Sequence, residues 1–474
     1  MSGYIGRDVS RVDGPAKATG VAAYPSDATL PGQVSAALVQ STIAAGRITR
    51  IDLTKAQAAP GVLAVLTHEN APVLAPAPMT PLGPPPRFPF TDNRIVHYGQ
   101  HVAMVVAETH EQAIAGARLV SVEYEQTAPV LGIDNPAAPV EQNMWGLEVT
   151  RGDVDTALAS ADVVYDERFT IAAETNNPMG LFATMASWDG DRLVVYDSTQ
   201  WPMMVRQTLA TVFGIPENNV RVLVPYLGGG FGNGLRAWPH MILTALAART
   251  LGRPVKLVLT RPQMFTSIGH RPESTQRLRL GATTYGRLVA IDHDSLATVG
   301  AEETNISAII MGTPHAYDIP NIATHDRQVH LNIPNPGAMR APGHAEGNFA
   351  LESALDELSY QLDIDPIEIR LRNFATVHPQ SGLPWSSNAL RECYQVGAER
   401  FGWNRRNPEP RSMRDGNWLV GYGMAGVTFG WYAPPCQASI TINRAGTAHV
   451  RSAATDIGTG TYTIASQLDR KSVV

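Results

Sequence analysis

Arg221-Val222-Leu223-Val224-Pro225-Tyr226-Leu227-Gly228-Gly229-Gly230-Phe231-Gly232-Asn233-Gly234 is the stretch on which the fold turns. Its apolar half, Arg221 to Tyr226, predicts a strand. An alanine- and leucine-rich segment from about Met241 to Leu251 predicts a helix, stopped by Gly252. The loop between them carries five glycines around Phe231. Without side chains in the way, such a loop brings backbone N–H groups close to an anion. No window fits G-x-G-x-x-G, and no Gly-Lys follows, so neither a dinucleotide fingerprint nor a Walker loop is present. A plain flexible turn accounts for one or two glycines and poorly for five.

Working outward, the same strand–helix alternation recurs. Upstream, Arg192 to Tyr196 predicts a strand and Trp201 to Phe213 a helix; downstream, Val255 to Leu259 predicts another strand. In the first section, Arg47 to Leu53, Val62 to Thr67, His101 to Ala107 and Ser121 to Glu125 predict strands. Thr109 and Gln112 have capping-box spacing and open a helix through Leu119. These units indicate a mixed α/β domain ending near residue 140. The proline-rich run from Ala71 to Pro89 is expected to be a surface loop or arm. Further on, Glu346 to Leu362 has helical spacing, and Asp365-Pro366 caps and starts a second helix. From about Asn417 the chain turns β-rich, then reaches Asp456-Ile457-Gly458-Thr459-Gly460-Thr461, a second glycine loop before a helix expected at Tyr462.

A chain of 474 residues is expected to hold two to four domains. Its net charge of -6 has no basic excess that would suit nucleic acid or an anionic membrane. The longest apolar stretches are far too short to span a bilayer. Two cysteines, Cys393 and Cys436, cannot form a zinc or iron–sulfur cluster; they are either two thiols or one disulfide. No zinc-protease His pair and no G-x-S-x-G elbow occurs. What remains is a stiff, proline-bounded loop, Met339-Arg340-Ala341-Pro342-Gly343, whose arginine either grips an anion through its planar fork or makes a surface ion pair. By themselves these features suggest a polyanionic cofactor held by two glycine loops and an arginine, without saying which.

Taken in order, Ser198-Thr199-Gln200, Gly228-Gly229-Gly230-Phe231-Gly232, Met339-Arg340-Ala341-Pro342-Gly343 and Gly458-Thr459-Gly460 resemble the molybdopterin-binding large subunit of the xanthine dehydrogenase/aldehyde oxidase family. Gly6-Arg7-Asp8 with Arg11-Val12-Asp13-Gly14 is similar to that subunit's N-terminal start, and Pro60-Gly61-Val62 and Tyr98-Gly99-Gln100 to its α/β-hammerhead domain. The likeness runs from about residue 5 to Gln467 and is of the bacterial aldehyde oxidoreductase type.

The resemblance implies an α+β fold: a hammerhead domain over 1–140, a first molybdenum-cofactor-binding domain over 141–405, and the start of a second, incomplete one over 406–474. It places Gln200 and Arg340 by the molybdenum's oxo group and the pterin, and Gly230, Phe231 and Gly232 in a loop over the metal. Ile457, Gly458, Thr459 and Gly460 would hold the pterin dinucleotide in its cytosine form. No side chain would ligate the metal directly. The implied reaction oxidises aldehydes to carboxylic acids with water as oxygen source, and electrons leave for partner subunits carrying 2Fe-2S and FAD. The compartment would be the cytoplasm, or the periplasm if a signal-bearing partner exports the complex.

Departures qualify this. Where purine-oxidising members have a glutamate and an arginine in the substrate pocket, this chain has Leu235 and His270. Their loss favours an aldehyde or apolar aromatic substrate over a purine or N-heterocycle, the rival reading; a non-catalytic scaffold is a third. Asn176 to Phe182 lacks the family's usual His and Glu around Pro178-Met179. The family's catalytic glutamate is expected beyond residue 474. Asp469 to Val474 leaves the family course and is expected to be foreign to the natural gene, and the chain expressed alone is expected to be poorly soluble, without cofactor and inactive.

Overall fold

The computed structural model describes residues 6–81, 83, 85–146, 148–304, 307–430 and 435–469. Arg470 to Val474, part of the segment expected to be foreign, lie outside the described residues.

A seven-stranded sheet carries the glycine loop. Its order is Val220–Leu223, Arg192–Asp197, Ala183–Asp189, Val255–Val258, Val34–Gln40, His101–Ala107 and Val62–Thr67. Val34 to Ala36 pairs in parallel with Val255 to Leu257, so the sheet runs unbroken across residue 140. The strand before the glycine loop is shorter than expected and ends at Leu223. Pro225 explains this, because it has no N–H to donate and pushes the preceding residue away from regular pairing.

The helix after the loop is Pro239–Leu251, and every residue from His240 to Ala248 is buried. A helix apolar all round belongs inside a core. It packs with Val205 and Leu209 of the helix Pro202–Phe213 on the sheet residues Val195, Val220 and Leu257. Full burial of each large side chain here, such as Met241 and Leu243, contributes roughly 1.5–3 kcal/mol. Gly252 stops the helix with φ 63. The proline-rich arm is more than a surface loop, since Ala71, Leu74, Ala77, Phe88 and Phe90 pack half-buried against this core.

A second sheet orders Val140–Gln142, Asn321–Leu331, Leu288–Gly300, Ser274–Ala282 and Val163–Ile171. The helix His344–Gln361 lays Leu351, Leu355 and Leu358 against its Leu278, Leu280 and Ile291. Asp365 caps the next helix, Pro366–Arg372, from its Oδ1. A smaller sheet, Arg94–Ile95, Gly46–Asp52 and Ser121–Gln126, covers Ile48 and Ile51. The helix opened by Thr109 and Gln112 keeps both capping-box bonds but ends at Ala117, before Leu119. Ala438–Ile442 and Ala448–Ser452 form an exposed hairpin, and the last helix begins at Thr461, one residue before Tyr462. Cys393 and Cys436 are free and exposed, which excludes the disulfide. Among the described residues no helix is long and apolar enough to cross a membrane.

Candidate functional site

Gln200 follows the strand Arg192–Asp197 and organises the glycine loop. Its Oε1 accepts from the N–H of Gly232 at 2.7 Å and of Gly234 at 3.2 Å, and its own N–H donates to Gly234 O at 2.8 Å. Thr199 Oγ1 donates to the same carbonyl at 3.0 Å. Asn233 and Leu235 close turns on Gly230 and Gly232 at 3.0 Å each. The second half of the loop is therefore internally satisfied, and its N–H groups are not free for a ligand. The first half differs: the N–H groups of Gly228, Gly229, Gly230 and Phe231 meet no acceptor among the described residues. Successive N–H groups without an acceptor are donors available to an anion.

The arginine loop closes on this glycine loop. Arg340 N–H donates to Phe231 O at 3.0 Å, and the guanidinium stacks 4.3 Å over the Phe231 ring. Among the described residues Arg340 makes no ion pair, so the surface-pair reading fails. The approach is tight: a Cβ on Gly232 would sit 2.4 Å from Ala338 O, and one on Gly343 would sit 2.0 Å from Ala308 O. Phe231, Arg340 and Ala341 have φ of 52, 20 and 53. Such non-glycine residues cost roughly 1–3 kcal/mol each and persist where surroundings over-determine them.

His270 joins the loop through its neighbour, because Asn233 Nδ2 donates to Gly269 O, and Gly337 N–H donates to His270 O at 2.9 Å. Burial pushes the His270 imidazole down to about 4, so it is neutral near pH 7. Leu235, half-buried, ends the short turn Asn233–Leu235.

The second loop is built around Asp456. Its Oδ1 accepts from Gly458 N–H at 2.8 Å and Gly460 N–H at 3.2 Å. Gly458 and Gly460 have φ of 108 and 91, which explains the residue type there. Ile457 is 47% exposed, and the Thr459 hydroxyl lies 3.4 Å from that of Thr461. The N-terminal segment straps this loop: Arg11 Nη1 donates to Gly458 O at 2.8 Å, and Val12 N–H donates to Thr463 Oγ1 at 3.1 Å. Gly458 does not reach Gln200 or Arg340. It meets the start of the first loop instead, in a pocket lined by Lys17, Tyr24, Tyr226, Gly228, Gly458 and Tyr462.

Several residues of this site carried no sequence signal. Asn176 Nδ2 donates to Gly230 O at 3.0 Å, and Arg271 Nη2 donates to Arg340 O at 2.9 Å. Glu346 lies beside Arg271, buried in the first turn of its helix. Only Asp456 was visible, as the residue opening its motif.

Comparison with known proteins bears on all of this. The chain matches a molybdopterin cofactor-binding domain over residues 137–374, an aldehyde oxidase and xanthine dehydrogenase a/b hammerhead domain over 19–128, and a further molybdopterin cofactor-binding domain over 396–470. It is 39% identical, over 98% of its length, to the aldehyde oxidoreductase molybdenum-binding subunit PaoC of Escherichia coli (strain K12), of which it covers 63%. It is 31% identical to the xanthine dehydrogenase molybdenum-binding subunit of Escherichia coli O157:H7, covering 98% of this chain and 65% of that one. The crystal structure of quinoline 2-oxidoreductase from Pseudomonas putida 86 superposes with a TM-score of 0.83 at 24% identity, over 99% of this chain and 65% of that one. The chain thus spans less than two thirds of the length of these relatives.

Proposed function

Because this chain belongs to the xanthine dehydrogenase/aldehyde oxidase family as a molybdenum-binding large subunit, we propose that it serves an enzyme oxidising aldehydes to carboxylic acids, with water as the oxygen source. The observation that carries this is the closure of Gln200, the Phe231 loop and Arg340 into one hydrogen-bonded cluster beside a row of unpaired N–H groups. Those donors fit a pterin phosphate and an oxo group in kind.

When bound, a molybdenum–pterin group would supply two-electron redox chemistry, with iron–sulfur and FAD partner subunits as the electron acceptors. The chain's own residues bind and orient. With Oε1 of Gln200 engaged by two loop N–H groups, its amide NH₂ is left as the donor toward an oxo group. Phe231 shields one face of the Arg340 guanidinium and leaves its N–H edge for the pterin. The unpaired N–H groups from Gly228 to Phe231 would hold its anionic oxygens. Ile457, Gly458, Thr459 and Gly460 are the residues we assign to a cytosine dinucleotide tail; of them Gly458 lines the far pocket, where Lys17 is ion-paired with Asp13.

Leu235 and a neutral His270 offer no charged clamp for a purine, which favours an aldehyde on an apolar body. The complex works in the cytoplasm, or in the periplasm if exported with a signal-bearing partner. The deciding measurement is kcat/KM for benzaldehyde and for xanthine of a full-length homologue assembled with its partner subunits. Benzaldehyde is expected to be preferred by at least about 100-fold, and equal or greater efficiency with xanthine rejects the assignment.

A further inference from the structure

Arg340 is held by its backbone on both sides. Its N–H donates to Phe231 O at 3.0 Å, and its carbonyl accepts from Arg271 Nη2 at 2.9 Å. Arg271 is only 5% exposed, and the other two arms of its guanidinium face two carboxylates. Nε donates to Glu174 Oε2 at 2.8 Å, whereas Nη1 lies 2.7 Å from Glu346 Oε2 as an ion pair without hydrogen-bond alignment. Glu346 is 1% exposed, and burial raises its carboxyl above the usual range while Arg271 pulls it back. The Arg271 backbone is pinned as well: it donates to Glu174 O at 2.9 Å and accepts from Glu174 N–H at 3.2 Å.

A buried guanidinium needs an acceptor for each of its arms, and any nearby carbonyl could serve. Yet the third arm of the guanidinium ends on the carbonyl of Arg340, where the backbone enters the left-handed region for two successive non-glycine residues. An unheld turn of that kind relaxes to ordinary dihedral angles and takes its side chain along.

We propose that Arg271 is a positioning residue that locks the Arg340–Ala341 turn against the glycine loop and so fixes where the Arg340 guanidinium meets the cofactor. This rests on the reading of Arg340 as a contact to the pterin group. Lysine cannot substitute, because an ammonium is a point donor on a flexible stem and cannot serve three acceptors arranged around a plane. Arg271→Lys therefore keeps the charge beside Glu346 and removes the fork.

The test uses the enzyme assembled with its partner subunits, as parent, Arg271→Lys, Glu346→Gln and Arg340→Ala. Pterin retained after gel filtration is measured as its fluorescent oxidation product. The rate at which Arg340 reacts with phenylglyoxal in cofactor-stripped protein is followed by peptide mass spectrometry. Arg271→Lys is expected to lose pterin about 10-fold faster than the parent, on the scale of other residues that orient cofactor contacts, with Arg340 reacting faster too. Parental pterin retention in Arg271→Lys, with loss in Arg340→Ala, overturns the positioning role and leaves the reading of Arg340 standing. If Arg340→Ala itself retains pterin, that reading falls, and the phenylglyoxal rate decides alone: an unchanged rate in Arg271→Lys overturns the proposal. If Arg271→Lys does not fold, Glu346→Gln carries the test, with a smaller loss in the same direction expected and parental values counting against it.

Discussion

Replacing Gly232 with alanine isolates the closeness of the two loops that form the site. Gly232 has φ 105, so any side chain there is strained, at roughly 1–3 kcal/mol. A second cost is steric: the new Cβ would lie 2.4 Å from Ala338 O and 3.1 Å from Met339 Cα. Neither atom is the end of a flexible side chain, so the 338–340 segment must move, at roughly 1–3 kcal/mol by analogy with overpacked cores. Gly228 is a control within the same loop. Its φ is 81, but a Cβ there meets nothing nearer than Tyr24 Cδ1 at 3.7 Å. Gly228→Ala should therefore show the conformational cost alone, and Gly232→Ala should be less stable by about 1–3 kcal/mol more. That is about a 5- to 150-fold difference in unfolding constant. Urea unfolding of the two variants side by side measures it. Equal midpoints for Gly228→Ala and Gly232→Ala would refute the tight approach of the arginine loop.

Three further outcomes are expected. Arg370 is fully buried and donates to Glu352 Oε2 at 2.7 Å, so Arg370→Met strands a buried carboxylate and should cost about 3–5 kcal/mol in denaturant titration; a loss under about 1 kcal/mol would show that Glu352 is not dependent on it. Burial pushes the Asp326 carboxyl up to about 7, so the folded chain keeps a proton that the unfolded chain releases near pH 4. Its contribution to stability therefore falls as pH rises from about 4 to about 7 and is flat above; Asp326→Asn should remove that slope, and parallel Tm-versus-pH curves for variant and parent would contradict it. In the assembled enzyme, Leu235→Glu with His270→Arg should raise kcat/KM for xanthine relative to benzaldehyde by about 10-fold or more, whereas an unchanged ratio removes these two positions from the substrate pocket.

What could be read from the sequence was mostly local. The Thr109–Gln112 capping box, the left-handed stop at Gly252 and the Asp365–Pro366 start depend on residues within one turn, and each stands as expected. Pro225 could have shortened its strand in advance, because the constraint is equally local. The packing of Phe88 and Phe90 was out of reach, since it needs the core that later residues build. Among candidate site residues, Gln200 and Arg340 were singled out by motif order, and in the structure both hydrogen-bond the same glycine loop. Asn176, Arg271 and Glu346 escaped because their roles consist of long-range hydrogen bonds and ion pairs that leave no periodicity or spacing behind.

The strand Val34–Gln40 lies between His101–Ala107 and Val255–Val258 in one sheet. During synthesis its first neighbour arrives early, but its second is encoded about 220 residues later. At roughly 5–20 residues per second, the ribosome needs on the order of 10–40 s to deliver it. Throughout that interval the edge at Val34 to Ala36 lacks its native partner. The part of the chain made first is thus among the last to be completed. A trigger for misassembly, or a place for a chaperone to bind, is written into the order of the strands and not into any local stretch of residues.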